Sequence, residues 1–95
     1  MTVALMWEAR AVEGRGAELL EWARTQQQRA AAVGGEELVR RETLTAPGDR
    51  VLVITWWDAA MDAELPELDD PHAGLVSRPV HRWRFESVEV APENP

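Results

Sequence analysis

The chain has no cysteine, no lysine and no tyrosine, only one phenylalanine, and a single asparagine, Asn94. Without cysteine there are no disulfides, thiolate metal sites or thiol nucleophiles. Without lysine there is no Schiff-base chemistry, and without tyrosine no phenolic acid or base. Positive charge is scarce as well: 10 arginines against 17 acidic residues leave a formal net charge of −7. That balance speaks against nucleic acid or an anionic membrane surface as partner, because both reward clustered cations. Long apolar runs are missing too. The N-terminal MTVALMWEARA carries Glu8 and no basic leader, so it reads neither as a signal peptide nor as a membrane span, and the expected location is cytoplasmic.

What remains is 95 residues with 45% hydrophobic and 28% charged content, enough for one globular domain. It is expected over residues 1–90, with 91–95 a flexible tail. A monomer of this size buries only about 60 to 65% of the surface its unfolded chain exposes, so a partner that covers more would stabilise it.

Residues Thr2 to Ala11 alternate, with Val3, Leu5, Trp7 and Ala9 on one side and Ala4, Met6, Glu8 and Arg10 on the other, which predicts a first strand. Gly14-Arg15-Gly16 breaks the chain before a helical pattern over Ala17 to Val33. There Ala17, Leu19, Leu20, Ala23, Gln27, Ala30 and Ala31 form a stripe, and Gly34-Gly35 suits its C-terminal cap. Leu38 to Thr45 reads as a polar edge strand, Pro47-Gly48 as a turn and Val51 to Trp57 as the returning strand. Asp58 is placed to cap a short helix to about Glu64, and Asp70-Pro71 to open another through Ser77. Val80 to Val90 is the last strand, with His81, Trp83, Phe85 and Ser87 alternating against Arg82, Arg84, Glu86 and Val88.

The order is β-α-β-β-α-β, the ferredoxin-like α+β plait: one antiparallel sheet with helices on one face only. The stretch VLVITWWD puts Trp56 and Trp57 on opposite faces. One is then expected under the helices. The other, Trp56, joins Met6, Leu52, Ile54 and Val88 on an open face too apolar to stay wet, and a sheet-to-sheet homodimer would cover it.

The strand, the Gly14 turn, the long helix, the hairpin, Ile54-Thr-Trp-Trp-Asp58 and the acidic stretch after it resemble the dimeric α/β barrel superfamily. Within it the chain is most similar to the antibiotic-biosynthesis monooxygenase-like proteins, over Val3 to Val90. The resemblance implies a homodimer and possible cofactor-free oxidation of a small aromatic or polyketide-like compound. The alternative is a non-catalytic binding or accessory protein of the same fold. Haem-degrading relatives carry an asparagine on the first strand and a tryptophan and histidine on the second helix; here those positions fall on Trp7, Pro66 and Val76, so that triad is missing. Asp70-Pro71 with Gly74-Leu75 resembles the YciI-like branch as well, but the histidine that pairs with its aspartate has no counterpart before residue 72.

Trp7, Trp57, Trp83 and Phe85 are expected to line a ligand cavity between sheet and helices, or else to fill a solid core. Arg40, Arg41, Arg82 or Arg84 could hold a substrate anion, unless Glu8, Glu42 and Glu86 pair with them. The catalytic candidates are His72, beside Asp69 and Asp70, and His81; each also has a plain structural reading, as a turn residue and as a rim histidine. Two histidines nine residues apart, with no third ligand in sight, give no zinc pattern, and no cofactor is expected. Gly14-Arg15-Gly16 before a helix suggests an anion-binding turn, a weak signal when it stands alone.

Overall fold

Alternation of small and large apolar residues against polar ones produces β1 (Thr2–Arg10), whose side chains are buried and half-buried in strict turn from Thr2 to Ala9. The computed structural model describes residues 1–31 and 37–91. Helix α1 (Gly16–Ala31) follows, then β2 (Glu37–Ala46), β3 (Arg50–Asp58) and β4 (His81–Glu86). The sheet order is β2-β3-β1-β4, and every neighbouring pair is antiparallel. The fold is α+β, with one helix among the described residues against a four-stranded antiparallel sheet. No helix of the described residues is long and apolar enough to cross a membrane.

The hairpin between β2 and β3 turns as its residues require. Gly48 has φ 85°, and Asp49 follows at φ 60°, a left-handed conformation that aspartate tolerates better than most residues. Asp49 then does three things. Its carbonyl accepts from Ala11 N at 2.8 Å. Its carboxylate accepts from Gly14 N at 2.9 Å and from Gly16 N at 3.3 Å, at the start of α1. The glycine turn that resembled an anion site is thus filled by the chain's own carboxylate. A side chain at Gly16 would sit 2.7 Å from Asp49 Oδ1 and 3.1 Å from its Cα, which is why that position is glycine.

Helix α1 buries Leu19, Ala23 and Gln27, spaced four apart, and half-buries Leu20 and Trp22. Ala17, assigned to the stripe by its spacing, is exposed. Val33 and the Gly34-Gly35 cap lie outside the described residues. The second helix is the main departure from the expected order: residues 59–80 run from β3 to β4 in turns and extended chain. Pro66, Pro71 and Pro79 break any helical ladder there, and both presumed caps are engaged elsewhere. Asp58 lies 3.6 Å from the N-terminal ammonium of Met1, and Asp70 Oδ1 accepts from Arg82 at 2.7 Å. The segment is held instead by buried Leu65, Leu68, Pro71 and Leu75. At its far end Ser77 N donates to Arg10 O, and Val12 N to Leu75 O, each at 2.9 Å.

The core has two clusters on one sheet face. Trp7, Ala9, Val51 and Val53 pack with Leu19, Ala23, Leu68 and Leu75, while Val3, Leu5 and Trp57 pack with Leu65. Trp57 is buried on this inner face and Trp56 half-buried on the other, as the alternation of VLVITWWD requires.

Candidate functional site

Between the two core clusters lies a cavity of about 110 Å³. Leu5, Trp7, Val53 and Trp57 form its sheet wall, and Pro66 and Leu68 close it from the 59–80 segment. Gln27 reaches it from α1, and Leu38 and Arg41 from β2. The arrival of both Leu38 and Arg41 depends on an irregularity. The β2–β3 register shifts between Leu38 and Arg40, so that Leu38 opposes Trp57 and Arg41 opposes Thr55. Strict alternation would have sent residues three apart to opposite faces; a bulge sends them to the same one. Val39, the extra residue, is 58% exposed.

The polar groups around this space differ in whether they are already engaged. Trp57 Nε1 donates to Thr55 Oγ1 at 2.8 Å, and Gln27 Nε2 to Thr43 Oγ1 at 3.1 Å. Arg82 donates to Asp70 at 2.7 Å and lies 3.8 Å from Glu67. Arg84 donates to the carbonyls of Met61 and Ala63, both at 2.8 Å. Arg40 points to the other face, where its Nη2 donates to Glu42 at 2.7 Å and its guanidinium lies 5.1 Å from the Trp56 ring centroid. Arg41 alone of these four arginines has no ion-pair or hydrogen-bond partner among the described residues. Trp7 Nε1 is likewise buried with no acceptor among them, while its ring stacks on Trp22 at 5.8 Å between centroids.

The four aromatics expected around one ligand do not share a space. Trp7 and Trp57 line the cavity. Trp83 pairs with Met6 and Phe85 with Ala4, which puts both on the open face, 44% and 53% exposed. The register that sends them outward sends Arg82 and Arg84 inward, opposite Trp7 and Leu5. The physical reason is the cover: an acidic loop with free carbonyls, not an apolar helix, lies over that half of the inner face, and the arginines tether it.

Neither histidine lines the cavity. His72 is exposed and opens a turn, its carbonyl accepting from Leu75 N at 3.0 Å. His81 is on the open face, edge-on to Trp83 at 5.6 Å, with Nδ1 3.7 Å from Glu8 Oε1. Glu8 is held by Arg78 Nη2, 2.8 Å from Oε1 and 2.9 Å from Oε2. Met6, Leu52, Ile54 and Trp56, expected at the interface, share the open face and are all half-buried in the single chain, whereas Val88, expected beside them, lies past the end of β4 and is exposed.

At the start of α1, Arg15 Nε donates to Glu18 at 3.1 Å and Nη1 to Gly74 O at 2.7 Å. The Arg15 hydrogen bond holds the Glu18 carboxyl below the usual carboxylate range, and raises the guanidinium in turn.

No known family profile matches the chain, and no curated protein matches it in sequence. Solved structures do resemble it in shape. Rv0793 from Mycobacterium tuberculosis superposes with a TM-score of 0.68 at 16% identity, over 97% of this chain and all of that one. NE2512, a protein of unknown function from Nitrosomonas europaea, gives 0.63 at 13% identity, over 99% of this chain and 96% of its own. At such identities the likeness is one of fold.

Proposed function

We propose that this chain is a subunit of a ferredoxin-like homodimer, similar to the antibiotic-biosynthesis monooxygenase-like proteins, whose inner cavity binds a small aromatic anion for oxidation by dioxygen without a cofactor. The supporting observation is the pairing of a tryptophan-walled cavity with a guanidinium, Arg41, that no carboxylate among the described residues neutralises. An electron-rich aromatic anion reacts with dioxygen by its own chemistry. The protein's part is to bind the anion, with Arg41 opposite its charge, and to keep water from the ring with Trp7, Trp57, Leu5 and Leu68. The plait is reduced on this reading, its second helix replaced by the arginine-tethered 59–80 segment.

The dimer reading rests on the open face. Met6, Leu52, Ile54, Trp56, Trp83 and Phe85 lie together there, and an apolar patch of that kind on a small domain is commonly an interface. A second copy is the occupant that the fold resemblance suggests.

One observation favours the non-catalytic alternative. The carboxylate lining the cavity, Glu67, lies 3.8 Å from Arg82 and 3.9 Å from Arg84, which favours its charged, structural use, and neither histidine lines the cavity. Oxygen-electrode measurements on a panel of hydroquinones and hydroxynaphthoquinols, beside tryptophan-fluorescence titrations, separate the readings. Binding with oxygen uptake that Arg41→Gln abolishes is the expected result. Binding without uptake favours the accessory role, and the absence of any binding overturns both.

A further inference from the structure

Strand β3 begins and ends with a pair of like charges. At its start Arg50 lies directly opposite Arg10 on β1, and at its end Asp58 lies directly opposite Glu37 on β2. Like charges opposed in this way across a sheet destabilise it. All four residues are exposed. They also follow the alternation of the open face: Arg10 comes after Met6 and Glu8, and Arg50 and Asp58 stand on either side of Leu52, Ile54 and Trp56. The two pairs are roughly 27 Å apart at the rise of an extended strand.

The charges between them are settled within the chain. Arg40 donates to Glu42 at 2.7 Å, and Glu8 lies 2.8 Å from Arg78. Neither Arg10 nor Arg50 has a carboxylate within ion-pair distance among the described residues. Arg50 Nε reaches the Pro47 carbonyl at 3.4 Å, and the Arg10 guanidinium lies beside Gly48. At the other end Glu37 has no cation among the described residues, and Asp58 has only the N-terminal ammonium, at 3.6 Å. The open face is therefore an apolar centre between a basic end and an acidic end.

Two copies stacked by this face are related by a two-fold axis lying between the sheets. An axis parallel to the strands sets β3 over β1 and basic end on basic end, with Arg50 over the partner's Arg10, so that four arginines crowd together. An axis across the strands reverses one copy, and Arg50 then meets the partner's Asp58, twice by symmetry. Sheets pack about 10 Å apart with their strands within about 30° of each other, a gap that an arginine and an aspartate span together.

We propose that a second copy of this chain docks on the open face in reverse, with the strands of the two sheets antiparallel and Arg50 of each subunit paired with the partner's Asp58. Arg10 and Glu37 add to the field at either end. The assignment rests on the homodimer reading above and gives it an orientation. Charge at the ends sets the register, while Met6, Leu52, Ile54 and Trp56 supply the buried centre.

Sedimentation equilibrium of Arg50→Glu and Asp58→Arg, alone and mixed, tests it, with circular dichroism to compare their folding with that of the wild type. Each variant alone sets two like-charge contacts across the interface, and its dimer is expected to weaken at least tenfold. Mixed in equal amounts the two regain near wild-type association, because both contacts of the mixed dimer join opposite charges. Native mass spectrometry should find that mixed species in excess of random pairing. A dimer strengthened by Arg50→Glu is the mark of the other axis and overturns the proposal, as does a dimer that neither substitution alters; in both cases the homodimer reading stands. A wild-type chain that stays monomeric takes both down. Should either charge reversal unfold the chain, Arg50→Gln and Asp58→Asn replace them. The double change is then expected to weaken the dimer by less than the two single losses combined, and additive losses overturn the pairing.

Discussion

The two faces of the sheet have similar aromatic content and opposite circumstances. On the inner face Trp7 and Trp57 are 4% and 6% exposed and border a cavity; on the outer face Trp83 and Phe85 are 44% and 53% exposed, with Trp56 half-buried beside Arg40. Aromatic residues on adjacent strands do not by themselves make a pocket. Register decides, because a shift of one residue moves a whole strand's side chains to the other face. The inner face is then divided again. Its α1 half is covered by an apolar stripe, while its β4 half is covered by a loop that Arg82 and Arg84 hold through carboxylates and carbonyls.

If the outer face is an interface and the inner one is not, charge placed on each should have different consequences. The largest effect is expected from Phe85→Glu. Burying an unpaired carboxylate against a second copy should weaken self-association by at least a hundredfold in sedimentation equilibrium, with the far-ultraviolet circular dichroism unchanged. A smaller effect is expected where the inner face is anchored. Asp49→Ala removes the acceptor for Gly14 N and Gly16 N and puts alanine at φ 60°. Loss of such a helix-start acceptor costs about 0.5 to 2 kcal/mol, readable as a lower urea midpoint with unchanged association. The smallest effect concerns Glu18. Its folded pKa lies below the unfolded value, so its contribution to stability is present above the unfolded pKa and is lost as pH falls through the folded one. The side chains are exposed and the contribution is correspondingly slight. Carboxyl ¹³C titration should place Glu18 below the usual carboxylate range, and Arg15→Gln should raise it.

Much of this was legible in the sequence, for identifiable reasons. Alternation in β1 and β3 survives into the structure because each strand is buried on one face and half-covered on the other. The Pro47-Gly48 turn and the opposite placement of Trp56 and Trp57 follow from local geometry alone. The orientation of β4 does not. Its apolar side points outward, since the inner partners of Arg82 and Arg84 come from a loop whose course no periodicity announces. Asp58 and Asp70 looked like helix caps because capping and ion pairing ask for the same side chain. Alternation put Trp7 and Trp57 on one face but left open whether a cavity or a solid core lies there, and Leu38 and Arg41 reach the cavity together only through a bulge. That Arg41 has no partner among the described residues, while Arg40, Arg82 and Arg84 have theirs, follows from the course of neighbouring segments and needed coordinates.

The central claim is that the two faces do separate work, a cavity within one subunit and an interface between two. Native mass spectrometry of the wild-type chain, Arg41→Gln and Phe85→Glu, each with a hydroxynaphthoquinol under argon, tests it in one experiment. The expected result is a wild-type dimer carrying one ligand per subunit, an Arg41→Gln dimer carrying none, and a Phe85→Glu monomer that still carries one. A monomeric wild type, or an Arg41→Gln chain that loses the dimer while Phe85→Glu loses only the ligand, would contradict it.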